Sequence, residues 1–318
     1  MGRIVTLAMN PSLDKSTRIE NVVPEKKLRC EIPEWQAGGG AINVARVVKR
    51  LGGSALAVYT AGGPQGMMLR NLLDEEEIVQ EVISIAGITR ESFSVRETAS
   101  NQQYRFSVPG PTISASEWKA SLRTIEDLNP LPDYLVLSGG LPPGVPDDFY
   151  GRIAKWAQEN GIRVILDTHH EPFRHAVEAG VFWIKPNLRE LRQLTGQRLE
   201  TEEAQQEAIQ RIIKRGGAQY IVLSLGAAGA VFADANGTQH LRAPTVKIRS
   251  KVGAGDSMVG GIVWALSQNY APLAAAKLGV AAGAATVKTP GSELCQREDV
   301  LKLFDQIDDE ESGEPQTH

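Results

Sequence analysis

The chain has 318 residues, 42% of them hydrophobic and 23% charged, which allows a sizeable core and is ordinary for a globular protein. Its 34 Lys and Arg against 38 Asp and Glu give a net charge of −4, and this balance argues against a broad nucleic-acid-binding surface. Cys30 and Cys295 are too few for a disulfide framework, and no apolar run approaches the roughly 20 residues of a membrane span, so we expect a cytoplasmic protein without nucleic-acid or membrane partners.

Short apolar, β-branched runs typical of buried strands alternate with helical patterns along most of the chain. The predicted strands are 4–7, 56–59, 134–137, 164–166, 181–184 and 220–223. This alternation predicts an α/β protein with a mostly parallel sheet and helices on both of its faces.

The clearest helical pattern covers residues 41–51. Its apolar positions recur at i, i+3, i+4 and i+7 from Val44, whereas Arg46, Lys49 and Arg50 face away. Ser114 and Glu117 have the spacing of a capping box that opens another helix.

Two segments interrupt the strand–helix alternation, because they contain strand-like pieces without a following helix. We expect them to pair into a small β-sheet that serves as a lid and as the contact in a homodimer, since an exposed apolar sheet face needs a cover. The expected division is an α/β core of 1–12, 34–87 and 111–307, a lid of 13–33 and 88–110, and an acidic, disordered tail of 308–318.

The strongest chemical signal lies in residues 250–261, where small residues precede an apolar helix. Glycines allow the backbone N–H groups of residues 253–256 to converge at a helix N-terminus, which is a favourable place for an anion such as a transferring phosphate. Asp256 would then lie in the first turn beside that anion. Alternatively, Asp256 only complements the helix dipole.

Three glycines, Gly38, Gly39 and Gly40, open the helix at 41–51. They would permit close approach of a ligand to the backbone, and Asn43 one turn later could bond a sugar hydroxyl. The alternative is a flexible loop followed by a helix-facing Asn.

Residues 185–190 follow a predicted strand and contain Lys185, Asn187 and Glu190. Asn187 and Glu190 share a helix face, which suits Mg²⁺ bound through water near nucleotide phosphates, although the same pair also makes a good helix cap. After the next strand, residues 224–229 could hold nucleotide phosphates by backbone N–H groups or simply form a tight hairpin turn. They match neither a Walker loop nor the dinucleotide fingerprint.

Lys27, Arg29, Arg90 and Arg105 all lie in the two inserted segments. Cations on a lid could hold a phosphorylated substrate, because guanidinium groups bind phosphate in a bidentate manner. The alternative is a solvated surface.

Together these motifs resemble the ribokinase-like carbohydrate kinases of the PfkB family over roughly residues 3–305. Segments 38–43 and 252–256 resemble the family's two signatures, and Asn187 with Glu190 resembles its magnesium motif. Segments 7–14, 25–30, 103–106 and 138–144 resemble its branch of bacterial 6-phosphofructokinases of the isozyme 2 type. The resemblance implies a three-layer α/β/α sandwich with a β-sheet lid.

Carried onto this sequence, the resemblance implies a role for each of several groups of residues. The implied substrate contacts are Asp14, Lys27, Gly38, Gly39, Asn43, Arg90, Arg105 and Gly139. The implied nucleotide contacts are Lys185, Asn187, Ser224, Gly226, Gly229, Lys251 and Gly283. Asp256 would be the base, with Gly253, Ala254 and Gly255 as the anion hole; Glu190 would order Mg²⁺ through water, and Ser250 and Val252 would help to hold a monovalent cation such as K⁺.

The activity implied is transfer of the γ-phosphoryl group of MgATP to O1 of fructose 6-phosphate. Tagatose 6-phosphate and fructose 1-phosphate remain alternative acceptors, as does a non-catalytic sugar-phosphate sensor. Related kinases for these acceptors tend to have a lysine within the segment 38–41, and its absence here favours fructose 6-phosphate. Because Asp256 is predicted at a helix N-terminus, we expect it to have a low pKa.

The sequence departs from its nearest relatives at several positions. Gly139 replaces a serine and would offer only its backbone N–H. Thr289 and Glu293 replace Asn and Arg beside the implied cation site. Lys15 and the pair at 169–170, both histidines, also differ.

Overall fold

The structure is a computed structural model that describes residues 2–291 and 293–312. Within these residues it has a large nine-stranded sheet, a separate four-stranded sheet, and helices packed on both faces of the large one. No helix in this part of the chain combines the length and apolarity needed to cross a membrane.

The large sheet is parallel except at one edge. Its strands in chain order are β1 (Ile4–Ala8), β4 (Ala55–Ala61), β5 (Gln80–Ser84), β8 (Tyr134–Ser138), β9 (Arg163–Asp167), β10 (Val181–Ile184), β11 (Ala218–Ser224), β12 (Ala230–Asp234) and β13 (Gly237–Leu241). Their spatial order is β13-β12-β11-β10-β9-β8-β1-β4-β5, and only the pairs β11–β12 and β12–β13 are antiparallel. All six strands predicted from the sequence are present to within two residues at each end, whereas β5, β12 and β13 were not predicted.

Ten helices connect and cover these strands in the described residues. They are α1 (Gly40–Arg50), α2 (Gly63–Glu75), α3 (Ala115–Glu126), α4 (Phe149–Glu159), α5 (His170–Ala179), α6 (Leu188–Thr195), α7 (Glu202–Lys214), α8 (Ala254–Ser267), α9 (Pro272–Val287) and α10 (Arg297–Ser312). The predicted capping box forms at the start of α3. Helix α10 continues five residues into the segment 308–318 that the sequence predicts as a disordered tail. Residues 313–318 lie outside the described residues.

The core consists of two apolar clusters, one on each face of the large sheet. Helices α1, α2, α8, α9 and α10 contribute to the first cluster, and α3 to α7 contribute to the second. Successive side chains of one strand enter opposite clusters, as Ile4 and Val5 of β1 do. Strands buried on both faces need continuous apolar runs, which is why the sequence marks them clearly.

The small sheet contains β2 (Ser12–Ile19), β3 (Glu34–Gly38), β6 (Arg90–Glu97) and β7 (Gln103–Ser107), in the order β3-β2-β6-β7. Both inserted segments therefore contribute strands to it. The sequence-based boundary at residue 34 is wrong, because β3 pairs with β2 and belongs to this sheet. Strand β3 is only half buried and its short pattern resembles the connections of the core.

Candidate active site

The predicted site residues meet where the carboxyl ends of β8, β9 and β10 face the N-termini of α1 and α8. In open parallel sheets this edge is the usual place for a ligand. Both helices begin from a glycine with positive φ: Gly39, at 110°, precedes α1, and Gly253, at 76°, precedes α8. These left-handed turns are accessible to glycine with little strain and bring the two helix ends to the sheet edge.

The start of α8 provides a group of unpaired backbone donors. The first backbone bond of this helix joins the N–H of Ser257 to the carbonyl oxygen of Gly253, 2.8 Å away. The N–H groups that precede it, at 254–256, are those that a helix leaves without internal partners. Asp256 lies in this first turn, as predicted.

Asp256 is held by a side chain from α1. The Asn43 amide donates from Nδ2 to Asp256 Oδ2 at 2.7 Å, across 213 residues of sequence. This contact fixes the carboxylate beside the helix N-terminus. The interpretation of Asp256 as a simple helix cap does not account for a partner on a different helix.

A buried ion pair supports Asn43 in turn, and the sequence prediction for Arg46 is wrong. Arg46 does not face away but is 3% exposed, and its guanidinium pairs with Glu76 at 2.6 Å. Its Nη1 donates to Asn43 Oδ1 at 3.3 Å and to the Ala37 carbonyl at 2.9 Å. The periodicity of α1 could not reveal this, because a charged residue is normally assigned to the solvent face.

Lys185 lies next to the N-terminus of α8. Its Nζ pairs with Asp167 Oδ1 at 3.1 Å, and both side chains are largely buried. A Cβ built on Gly255 would lie 3.5 Å from this Nζ. Burial lowers the pKa of Lys185, but the carboxylates of Asp167 and Glu190 outweigh it, so the pKa is raised and the amine stays charged.

The pKa of Asp256 contradicts the expectation of a low value. Burial raises the pKa of this carboxyl, and the carboxylate of Asp167 raises it further. The hydrogen bond from Asn43 and the charge of Lys185 oppose the rise without cancelling it. Burial and the neighbouring carboxylate therefore make Asp256 a better proton acceptor than its place in the sequence suggests.

A second cluster forms on the small sheet around Asp14. A Cβ built on Gly38 would lie 2.4 Å from Asp14 Cγ, so the carboxylate rests directly on the glycine backbone. Burial raises the pKa of Asp14, against a hydrogen bond from Ser12 and the charges of Arg90 and Arg105. Asp14 and the two predicted phosphate-binding arginines therefore face a common region.

Two predicted substrate contacts are not assembled in this way. Lys27 is exposed in the loop between β2 and β3, and it forms no ion pair with another described residue. The backbone N–H of Gly139 donates to the Asp167 carbonyl at 2.9 Å, so the expectation that this N–H is free for a substrate is wrong. The parallel pairing of β8 with β9 extends one residue beyond Ser138, so the Gly139 N–H forms a hydrogen bond within the sheet.

Residues 187–190 form the predicted helix cap. Asn187 Oδ1 accepts the N–H of Glu190 at 2.9 Å, and Glu190 Oε2 accepts the N–H of Asn187 at 2.8 Å. The cap uses Oε2, and it fixes the Glu190 carboxylate at the site edge, where Glu190 also raises the pKa of Lys185. The capping interpretation and a role through bound water are therefore compatible.

Comparison with known proteins decides the family. The model of the "pfkB family carbohydrate kinase" matches residues 7–299. The chain belongs to the pfkB family. It is 41% identical over 303 residues to "ATP-dependent 6-phosphofructokinase isozyme 2" of Mycobacterium tuberculosis (strain CDC 1551 / Oshkosh), covering 95% of this chain and 89% of that protein.

Solved structures agree with this assignment. Phosphofructokinase-2 from Escherichia coli in complex with potassium superposes with a TM-score of 0.93 at 37% identity, over 97% of this chain and 100% of that one. Ribokinase of Arabidopsis thaliana matches with a TM-score of 0.76 at 20% identity, over 96% and 99%, and shows the shared fold. The predicted ribokinase-like three-layer fold is thereby confirmed.

The loop 224–229 of this pfkB chain is a hairpin turn between β11 and β12. The N–H of Leu225 donates to the Gly229 carbonyl at 2.8 Å, and the N–H of Gly229 donates to the Gly226 carbonyl at 3.1 Å. These two donors are therefore not free to hold phosphates, contrary to the suggestion that backbone N–H groups do so throughout the loop. The Ser224 hydroxyl bonds the Pro186 carbonyl at 3.3 Å, which ties the hairpin to the segment that carries Lys185.

The remaining predicted residues surround α8. Lys251 is exposed just before the helix. Gly283 of α9 packs against its start, where an added Cβ would lie 3.2 Å from the Ala254 carbonyl oxygen. The Ser250 hydroxyl donates to the Gly291 carbonyl at 2.5 Å and accepts the N–H of Val252 at 3.2 Å.

Sequence reasoning missed two residues of this pfkB site, Arg46 and Asp167. Asp167 ends a predicted strand next to Lys185, so the rule that ligands bind at the carboxyl ends of parallel strands could have found it. Arg46 carried no such signal, because Glu76, its partner, is 30 residues away in the sequence.

Proposed function

We propose that this protein transfers the γ-phosphoryl group of MgATP to O1 of fructose 6-phosphate. The observation that carries the proposal is the Asn43–Asp256 contact at the open N-terminus of α8, with Lys185 beside it. A fixed carboxylate next to unpaired N–H donors can accept a hydroxyl proton where phosphate charge is stabilised. The name of the M. tuberculosis relative supports the choice of acceptor.

In this mechanism Asp256 Oδ1 orients the O1 hydroxyl and takes its proton, while Oδ2 stays bonded to Asn43. The backbone N–H groups at 254–256 and the ammonium of Lys185 stabilise the charge of the phosphoryl group. Because the transition state of phosphoryl transfer is loose, positioning and charge stabilisation contribute more than the strength of the base.

Arg90 and Arg105 are proposed to hold the phosphate that the substrate already carries. Both lie close enough to Asp14 to lower its pKa, and burial lowers the pKa of the Arg90 guanidinium itself. Arg90 also donates to the Asn10 carbonyl at 3.3 Å, which fixes it near the core. Asp14, which lies near both arginines, would form hydrogen bonds with sugar hydroxyls. Lys27 remains a predicted contact of the substrate's phosphate.

Glu190 is proposed to order Mg²⁺ through water. The cap fixes its carboxylate without needing both oxygens. When bound, Mg²⁺ would neutralise phosphate charge. Lys185 and Asn187 lie beside Glu190 and are proposed to contact the nucleotide, as are Ser224, Gly226, Gly229, Lys251 and Gly283.

A panel of acceptors tests the substrate. ADP release with MgATP should show a clear preference in kcat/KM for fructose 6-phosphate over tagatose 6-phosphate, fructose 1-phosphate and fructose. A preference for free fructose would reduce Arg90 and Arg105 to surface charges. If none of the four acceptors stimulates ADP release, a sugar-phosphate sensor would be favoured.

Replacement of the base tests the mechanism. Asp256→Asn keeps the oxygen that accepts from Asn43 but removes the proton acceptor, so turnover should fall by roughly 10²- to 10⁴-fold. Binding of fructose 6-phosphate, followed by calorimetry, should change little. Turnover like that of the unmodified enzyme would remove Asp256 from the mechanism.

A monovalent cation is proposed where residues 250–252 lie against residues 286–291 and 293. Carbonyl oxygens of Thr286, Gly291 and Glu293 converge there on the hydroxyls of Ser250 and Thr289. Oxygen donors of this kind suit K⁺, and the similar E. coli enzyme has been crystallised with potassium. Activity in KCl should exceed activity in tetramethylammonium chloride, and equal activities would contradict the site.

A homodimer is proposed through the apolar face of the small sheet. Phe93 and Phe106 stack there with ring centroids 6.2 Å apart, and Lys15 lies 4.7 Å over the ring of Trp35. Phe106 is nevertheless 56% exposed, so this face is open in a single chain.

Light scattering tests the dimer. The unmodified protein should be a dimer and Phe106→Glu a monomer, because a buried charge at this face costs more than the contact provides. Met67→Glu, at a similarly exposed apolar position of α2 outside this sheet, should remain dimeric. A monomeric unmodified protein would contradict the proposal.

A further inference from the structure

The imidazole of His169 lies just beyond the carboxyl end of β9, beside the end of β8. A Cβ built on Gly140, which follows β8, would lie 2.9 Å from His169 Cε1 and 3.2 Å from its Nε2. The ring therefore rests on the Gly140 backbone and occupies the space that a side chain there would need. His169 is the N-cap residue of α5 but forms no side-chain cap, so its ring is turned to the neighbouring loop rather than to its own helix.

Contacts between the two loops hold this ring in position. The hydroxyls of Thr168 and Tyr150 both donate to the Gly139 carbonyl, at 3.0 and 3.1 Å, and so tie the end of β9 to the end of β8. His170 has a φ of 59°, which is uncommon for a residue other than glycine, and its ring packs edge-on against that of His169 with centroids 4.8 Å apart. A strained backbone of this kind persists where the surrounding contacts hold it, often at a functional site.

The polar groups around this contact have no partners within the described part of the chain. No described residue forms a hydrogen bond with the imidazole nitrogens of His169, and none accepts the N–H of Gly140. Gly139, with a φ of 96°, turns the chain at this point. The N–H of Gly140, rather than that of Gly139, is therefore the backbone donor available at the end of β8.

Arg90 approaches the same place from the other side. The strand order here is β9-β8-β1, and Arg90 Nη2 donates at 3.3 Å to the carbonyl of Asn10, which lies just beyond β1. Neighbouring strands are about 5 Å apart, so His169 and Arg90 flank the end of β8 from its two sides. An anion placed over the N–H of Gly140 would be within reach of both side chains.

We propose that His169 contacts the phosphate that the substrate already carries, over the N–H of Gly140 and opposite Arg90. Phosphate oxygens accept hydrogen bonds from imidazole, guanidinium and backbone donors, and here the three kinds of donor approach from different directions. His169 is then a specificity-determining residue that favours a phosphorylated acceptor over the free sugar. This inference rests on the proposed function, because it concerns how the sugar phosphate is bound.

The charge of His169 should depend on the bound phosphate. Partial burial lowers the pKa of the free imidazole, and the charged groups that face it, His170 of α5 and Arg189 of α6, lower the pKa further. A phosphate dianion in contact with the ring would raise the pKa, so that binding takes up a proton. The affinity gained from this charge is present below the pKa of the bound state and is lost as the pH rises through it.

Calorimetric titration of the full-length protein with fructose 6-phosphate tests the contact. His169→Ala should weaken binding by about 10-fold at neutral pH, because a charge-assisted hydrogen bond is lost, and KM should rise by a similar factor at an almost unchanged kcat. For free fructose, kcat/KM should not change. The control His240→Ala removes an exposed imidazole from β13, at the far edge of the large sheet, and should bind fructose 6-phosphate as the unmodified protein does.

Proton uptake distinguishes a phosphate contact from an effect of His169 on the shape of the site. At about pH 7.5 the phosphate is already a dianion, so titrations in two buffers of different ionisation enthalpy report protons taken up by the protein. The unmodified protein should take up more protons than His169→Ala, whereas Asp14 is common to both and does not contribute to the difference.

Two results would overturn the inference alone: equal affinities of the unmodified protein and His169→Ala, or a loss of affinity without a change in proton uptake. An unmodified protein that does not bind fructose 6-phosphate at all would contradict the proposed function and this inference with it.

Discussion

The ion pair between Arg46 and Glu76 makes a quantitative prediction about both stability and turnover. In Arg46→Met, a side chain of similar length fills the space, but Glu76 loses its cation and Asn43 loses the donor to its Oδ1. Breaking a buried pair costs about 3–5 kcal/mol, and Glu76, at 31% exposure, regains some hydration. We therefore expect the free energy of unfolding to fall by about 3 kcal/mol in urea denaturation.

The same helix provides a matched control. Lys49 pairs with Glu77 at 3.0 Å, but the two side chains are 41% and 81% exposed. Exposed pairs contribute at most about 1 kcal/mol, so Lys49→Met should change the unfolding free energy by less than that. Equal effects of Arg46→Met and Lys49→Met would refute the argument from burial.

Measurements of kcat distinguish an effect of Arg46 on the position of Asn43 from its effect on the stability of the fold. With its Oδ1 free, the Asn43 amide can rotate away from Asp256, and kcat should fall by about 10-fold at an almost unchanged KM. The double variant Arg46→Met/Glu76→Leu replaces the pair by apolar side chains, so it should recover stability but not kcat. Recovery of both would mean that Arg46 acts only on the fold.

Three further predictions concern the site. Burial raises the pKa of Asp256 in the folded protein above its ordinary 3.8. The stability that its bound proton contributes is therefore fully present below pH 3.8 and is lost as the pH rises through the folded pKa. Asp256→Asn should accordingly unfold at a higher urea concentration than the unmodified protein at neutral pH, but not in acid. In Gly38→Ala the added Cβ would displace the Asp14 carboxylate, so kcat/KM for fructose 6-phosphate should fall by about 10²-fold in steady-state assays. Equal KM values in the variant and the unmodified protein would contradict a contact between Asp14 and the sugar. Glu190→Gln preserves the cap with Asn187, so thermal unfolding should not change, whereas the Mg²⁺ concentration for half-maximal activity should rise.

Much of the fold could be predicted from the sequence because its strands are buried on both faces. Ile4 and Val5 enter opposite cores, so the run is apolar throughout and its boundaries are visible. Strand β3 and the outermost hairpin strand β13 lack this signature and were missed, whereas β12 is apolar and buried on both faces and was missed although it has the signature. The expected helix caps at Ser114 and Asn187 were found because a cap depends on residues only three apart.

The site was predicted less completely, because its electrostatics depend on contacts distant in sequence. The raised pKa of Asp256 comes from tertiary burial and from Asp167, which local helix rules ignore. The backbone N–H of Gly139 is used by the neighbouring strand, which only the sheet register reveals. The inward orientation of Arg46 required knowledge of Glu76.

The close packing of α8 against its neighbours has a consequence for how such an enzyme can change over evolution. Gly260 allows α8 to approach α1, where an added Cβ would lie 2.5 Å from Val47 Cγ1, and Gly279 of α9 allows a similar approach to Ile262 at 2.6 Å. A side chain at Gly260 would push apart the helices that carry Asn43 and Asp256, so this position should resist substitution. New substrate preferences would have to arise in the small sheet, whose exposed strands tolerate substitution and which carries Asp14 and the two arginines proposed to bind the substrate's phosphate.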